Sequence, residues 1–199
     1  MAEPLRQSEV EPPEEQERSL SSETIEAERE LTRVKLSRCR LAGDHPKLML
    51  RDLTAEACDA RNTSLVDVVG TRLVLRDCQL LGVDVSGGVL RDALLVGCQL
   101  RMARAFGASF ERCWFEGCDL REAEFEESQF DRVAFRDCNL AGARLLRSGL
   151  GSVDFRGSRV EGLAVSPDRL AGAVISGEQA DVFAAAFGLR VLPINPEEA

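Results

Sequence analysis

The chain has 199 residues, 44% apolar and 30% charged, with a formal net charge of −9. That is the composition of a globular protein, long enough for one domain with tails or two small domains. No apolar run nears the roughly eighteen residues that span a bilayer, no signal peptide is legible, and no strongly basic surface is present. Membrane insertion, secretion and direct nucleic-acid binding are therefore not expected, and a cytoplasmic chain with reduced thiols is.

Residues 1–30 hold ten acidic and three basic side chains, which is most of the net charge. The stretch "MAEPLRQSEVEPPEEQERSLSSE" is rich in Pro, Glu and Ser and poor in large apolar groups. Such a segment buries too little surface to offset chain entropy, so a disordered acidic tail is expected over 1–30. Only a weak apolar spacing suggests a short helix over 23–30.

From residue 31 a period of five begins. In "LTRVKLSRCRLAG" it pairs a small or apolar residue with a large one two positions later, Val34 with Leu36 and Cys39 with Leu41. The segment "DHPK", residues 44–47, then absorbs a one-residue slip. His45, the chain's one histidine, is read there as a solvated loop residue.

Between Leu75 and Val165 every fifth residue is apolar, and the residue two before each is small or apolar, never charged. All 26 charged residues of this span fall on the other three positions. Chance would do this on the order of once in a million, counting template matches. A helix needs a period of 3.6 and a strand one of 2.0. Two inward side chains in every five instead describe a short extended piece followed by a turn. Four such pieces close a square coil of about twenty residues, and coils stack at roughly 4.8 Å.

Units such as "CDLRE", "CNLAG", "AEFEE" and "VDFRG" resemble those of the pentapeptide-repeat family, over at least residues 48–165. The resemblance implies an all-β, right-handed quadrilateral β-helix, here of about six to seven coils over 31–175. Residues 176–199 form a C-terminal capping helix and tail.

Cys58, Cys78, Cys98, Cys118 and Cys138 recur every twenty residues and stack in one column, with Cys39 leading; Cys113 lies on another. All occupy the small inward position, where cysteine is a readily buried, weakly polar filler. One sulfur per coil makes a line and not a tetrahedron, so no metal site is read. Disulfides between coils lie within Cα reach but are disfavoured in a reducing compartment. No nucleophile elbow, phosphate loop or metalloprotease motif occurs. The carboxylate pairs Glu122/Glu124 and Glu126/Glu127 lack an apolar pocket to tune an acid. The chain reads as a non-enzyme without cofactors.

Function in a solenoid sits on outward columns. Val74, Leu94 and Trp114 share one, with Val96 beside Leu94, making an apolar stripe where other repeats are polar. It reads either as a partner-binding patch or as a patch covered by a terminal segment. Phe106 and Leu146 share a second outward column. Residues 111–132 are acidic, and Asp119, Glu122, Glu124, Glu126 and Glu127 are candidate contacts. The resemblance also implies a function, since some family members mimic DNA and protect type II topoisomerases, including gyrase, from quinolones. Against it, the column Asp84, Arg104, Glu124, Arg144 alternates in sign.

At the C-terminus, Ser176 and Gln179 have capping-box spacing. Gly188 supplies a stop, and Ala180, Phe183, Ala184 and Phe187 make one apolar face. The segment is similar to the C-terminal helix of gyrase-protecting members, where it supports a two-fold dimer. Phe183 and Phe187 are thus candidates for an end cap or a dimer interface. Two functions stay open: a protein–protein interaction scaffold with an unidentified partner, and a DNA-mimicking homodimer that binds DNA gyrase.

Overall fold

The computed structural model describes residues 4–26 and 29–192. It is a parallel β-solenoid of about seven turns with one short C-terminal helix. The strands are β1 (Arg18–Ser21), β2 (Thr24–Ile25), β3 (Glu30–Thr32), β4 (Val34–Ser37), β5 (Arg40–Leu41), β6 (Met49–Glu56), β7 (Val69–Arg76), β8 (Val89–Val96), β9 (Ser109–Glu116), β10 (Gln129–Arg136), β11 (Arg144–Leu145), β12 (Val153–Asp154) and β13 (Ala164–Val165). The helix α1 is Ala180–Ala186. Strands β6 to β10 stack in sequence order in one sheet. Their partners lie twenty residues apart, as in Met49↔Val69 and Leu94↔Trp114.

The corners explain the five-residue unit. Two positions after nearly every inward centre the backbone enters the left-handed region, as at Asp52 (φ 52°), Asn62 (φ 55°), Gly82 (φ 64°) and Glu122 (φ 59°). One such residue turns the chain from one face to the next. Gly, Asp and Asn bear that conformation at least cost, and they hold more than half of these positions between 52 and 162. Each long strand bends at one such corner, so β6 to β10 each cover two faces.

Inside, large residues stack coil on coil. Phe135 lies parallel to Phe115 at 4.9 Å and to Phe155 at 5.7 Å, and Phe110 to Phe130 at 5.1 Å. The small position does more than fill space. Its donor reaches the backbone carbonyl 23 residues earlier: Cys98 to Leu75 (3.5 Å), Cys118 to Leu95 (3.5 Å), Cys113 to Leu90 (3.5 Å) and Ser148 to Phe125 (2.6 Å). Thiol and hydroxyl are thus interchangeable there, each satisfying a buried carbonyl.

All seven cysteines are free thiols, buried except for the partly exposed Cys58. Burial pushes the Cys113 thiol up to about 12. A thiol reagent at pH 8 is expected to modify at most Cys58 in native protein and all seven cysteines in denaturant. Rapid modification of three or more native thiols would contradict the buried column.

Four expectations need correction. Residues 4–26 do not form a disordered tail: β1 pairs in parallel with β4 (Arg18↔Val34) and β2 with β5 (Thr24↔Arg40). The pairing is offset by sixteen residues and places Arg18 where later coils carry an apolar side chain, which hides the coil from a search at period five. The short helix expected over 23–30 is absent at Thr24–Ile25, which is strand; residues 1–3 and 27–28 lie outside the described residues. The slip falls earlier than residues 44–47. Arg40 bridges Asp59 and Asp44 bridges Ser64, so the missing residue belongs at Ala42–Gly43. His45 is consequently in phase with Leu65, on the inward column, and only 2% exposed. Its Nε2 lies 2.9 Å from the Ala42 carbonyl, which bridges the shortened corner.

The C-terminal end is closed by side chains. Gln179 Oε1 accepts the Ser176 N–H (2.9 Å), and its amide donates to the carbonyls of Phe155 and Ser158, both at 2.7 Å. Phe183 packs on Phe155 at 5.6 Å. The buried face of α1 is thus Gln179, Phe183 and the flanks of Val182 and Ala186, not the expected Ala180, Phe183, Ala184 and Phe187; Phe187 is 57% exposed. The tail 193–199 lies outside the described residues.

Candidate interaction surface

Strand pairing places Val74, Leu94, Trp114 and Ala134 on successive coils of one outward column. Val96 stands beside it, in the column of Arg76 and Glu116. The four residues predicted as an apolar stripe therefore do share a face. Trp114 is held flat by its neighbours: its indole N–H donates to Glu116 (3.1 Å) and the Arg136 guanidinium lies 5.3 Å from the ring centre. Above it, Asp154 is fully buried under Arg136 and Arg156.

The stripe is covered in part by the chain itself. Leu5 and Val10, 2% and 8% exposed, form a small cluster with Ala134, Leu94 and Trp114. From there residues 4–17 run along the solenoid toward its N-terminal coils beside a charged corner. That corner stacks Asp52, Arg72, Asp92, Arg112 and Arg132, one per coil. Arg72 clasps Asp52 through two hydrogen bonds (2.6 and 2.8 Å), and Arg112 clasps Asp92 through two more, both 2.8 Å. The segment uses what is left over. Glu9 pairs with Arg132 (2.9 Å) and Glu14 with Arg33 (2.9 Å) and Arg72 (3.5 Å). The backbone N–H of Glu11 donates to Asp92 (3.3 Å), and that of Glu14 to Asp52 (3.0 Å).

None of this corner was singled out in the sequence, although Asp52, Arg72, Asp92 and Arg112 alternate in sign at one phase of the repeat. That alternation is the signal that would have found it. Leu5 and Val10 are the only large apolar side chains between residues 4 and 17.

The acidic candidates lie elsewhere. Asp119, Glu122, Glu124, Glu126 and Glu127 wind around one coil across two further faces, away from Trp114. Their charge is locally answered: Asp119 by Arg121 (2.6 Å), Glu122 by Arg101 (2.8 Å), Glu126 by Arg144 (2.6 Å) and Glu127 by Arg147 (2.9 Å). Glu124 lies in register between Arg104 and Arg144. Arg121, opposed by burial, holds the Asp119 carboxyl below the usual carboxylate range, and Arg61 does the same for Asp59, down to about 2. The Glu124 column alternates in sign, and the other four acids are each paired with a nearby arginine, so no single-sign track forms.

Among the described residues, no cluster of three or more His, Cys, Asp or Glu is arranged to hold a metal ion. No helix among them is long and apolar enough to cross a membrane.

Two family models match the chain: a pentapeptide repeat region over residues 108–181 and pentapeptide repeats over 89–121. No curated protein matches it significantly. Among solved structures it is similar to QnrB1, a plasmid-mediated fluoroquinolone resistance protein, in a trypsin-treated form. Identity is 15%, covering 89% of this chain and 99% of that one, with a TM-score of 0.36. It is also similar to HetL, a pentapeptide repeat protein involved in heterocyst differentiation regulation in the cyanobacterium Nostoc. There identity is 15%, over 80% and 86% of the two chains, with a TM-score of 0.32. A pentapeptide repeat protein of the Arabidopsis thaliana thylakoid lumen shares 26% identity over 53% of this chain and 59% of that one, with a TM-score of 0.26.

Proposed function

We propose that this chain, which matches pentapeptide-repeat models between residues 89 and 181, works as a non-enzymatic, cytoplasmic scaffold that binds a protein partner through the Val74–Leu94–Val96–Trp114 face. One observation carries the reading. This outward column, with Val96 beside it, gathers apolar side chains on three successive coils around the sole tryptophan, and the Leu5–Val10 cluster packs on it. Aromatic and aliphatic side chains gathered on an outward face in this way mark interfaces. Trp114→Ala should abolish partner capture in a pull-down while leaving the circular dichroism spectrum unchanged. Capture that survives the substitution would move the binding surface off this face.

A second reading keeps the acidic coil as the working surface, in a DNA-mimicking homodimer acting on DNA gyrase through Asp119, Glu122, Glu124, Glu126 and Glu127. The observation favouring a dimer is the exposed apolar run at the C-terminus, Phe187, Leu189, Val191 and Leu192. If that run joins two copies, Phe187→Asp should yield a monomer by light scattering. Phe183→Asp, buried against Phe155, should instead destabilise the last coil. Mimicry itself is weakened by the arginines that answer each acidic column, since it requires a long surface of one sign. Purified gyrase should therefore keep its supercoiling activity in the presence of the protein.

A further inference from the structure

We infer that the Leu94–Trp114–Ala134 column and the arginine corner beside it form a receptor for an extended acidic peptide with aliphatic anchors, and that residues 4–17 are its resident occupant. The inference rests on the proposed binding face and adds the partner's chemistry and a means of regulation.

The resident segment shows what the receptor accepts. Its apolar content is two side chains, Leu5 and Val10, and both are buried on the column. Its acids meet the corner cations, Glu9 at Arg132 and Glu14 at Arg33 and Arg72. Its backbone donates to the solenoid at three points: Glu11 and Glu14 to the buried carboxylates of Asp92 and Asp52, and Glu17, where the segment meets β1, to the Arg33 carbonyl (2.9 Å). Pro4, Pro12 and Pro13 have no N–H to donate and favour an extended path. No strand ladder ties residues 4–17 to the solenoid; the first paired strand is β1, from Arg18.

A segment held by two anchors, a few charges and scattered backbone bonds must still have its backbone ordered, at an entropic cost for every residue. It therefore opens more readily than the coils beneath it, whose every face is laddered. A partner segment that offers the same pattern, two aliphatic residues about five apart with glutamates between and after them, competes for the same contacts. The face is then available only to partners that displace the strap.

The test uses the full chain and its sole tryptophan as reporter; there is no tyrosine to confuse the emission. The double variant Leu5→Asp/Val10→Asp alters only the strap's anchors. Its Trp114 emission should shift to the red and its acrylamide quenching should rise. A synthetic peptide of residues 4–17 should restore both, saturably and less tightly as salt is added. The wild-type chain should bind that peptide about tenfold more weakly or worse, because its receptor is already filled. If the variant loses its fold, Glu9→Lys/Glu14→Lys, which keeps both anchors, gives the same readout by charge reversal.

An unchanged Trp114 emission in both variants, or no peptide binding to the opened chain, overturns the inference. Concentration-dependent Trp114 emission that tracks dimerisation would also overturn it, by making the occupant the strap of a second copy. Partner capture that depends on Trp114 without any peptide binding would sink the receptor chemistry and leave the scaffold reading standing.

Discussion

Phe135→Ala is expected to remove about 3–5 kcal/mol of stability, the range for deleting a fully buried aromatic ring. Phe135 is 0% exposed and is sandwiched between Phe115 and Phe155 on the coils either side. The surrounding backbone is laddered on both edges and cannot collapse into the space, so the cavity stays open and the cost falls toward the upper end. In a solenoid each coil touches only its neighbours, so the loss should be felt locally first, as weakened coupling between the coils of β9 and β12. Urea unfolding followed by circular dichroism reads the total, and a fall in midpoint with an unchanged slope would mark a pure loss of packing. Phe106→Ala is the control: its ring is 51% exposed, and its loss should stay within about 0.5 kcal/mol. A Phe135 variant that loses less than about 1 kcal/mol would mean that the interior stack does not hold the coils together.

The second large effect is at the charged corner. Arg112→Ala should cost about 3 kcal/mol near neutral pH, because it leaves the buried Asp92 carboxylate without its bidentate partner. Asp92 is 2% exposed, while Arg112 keeps partial contact with solvent and a further pairing to Glu111, which places the effect at the low end of the range for broken buried pairs. The pH dependence carries the sign. Burial pushes the Asp92 carboxyl up, but the Arg112 guanidinium and the Glu11 amide outweigh it, and the folded value lies below that of an ordinary aspartate. The pair's contribution is therefore present above about pH 4 and is lost as the pH falls through the folded value. In the variant burial is opposed only by the strap amide and the more distant Arg72 charge, so the carboxyl should rise and its protonation relieve the buried charge. The stability gap between wild type and Arg112→Ala should thus narrow steadily on acidification. A gap that widens toward low pH would contradict the assignment of Arg112 as Asp92's counter-charge.

The coils were legible because their physics is local and repeated: two inward positions in five exclude charge, and a left-handed corner every fifth residue favours Gly, Asp and Asn. The phase even carried His45, whose place on the inward column follows once the slip is moved to Ala42–Gly43. The first coil was not legible, because its register is sixteen residues and Arg18 breaks the apolar pattern. The strap was not legible either. Its composition, Glu, Pro and Gln with two aliphatic residues, is that of a segment unable to build its own core. What orders it is a surface that exists only after the solenoid has formed, with Asp52, Asp92, Arg72 and Arg132 brought into line by chain separations of twenty or more. The stripe residues do share a face, and of the two alternatives offered for it, a partner or a terminal segment, the N-terminal segment is the one that lies on it; the partner belongs to the proposal.

The most direct measurement is hydrogen exchange on the full chain, resolved peptide by peptide. If the solenoid is rigid and its proposed binding face is covered by a separately opening strap, exchange should be slowest in β8 to β10 and intermediate in peptides holding the Glu11 and Glu14 amides, which donate to buried carboxylates. Leu5→Asp/Val10→Asp should abolish that intermediate protection and leave the coils unchanged. Exchange in residues 4–17 as slow as in the coils would contradict separate opening, since the strap would then be a permanent wall and no face would lie beneath it to be used.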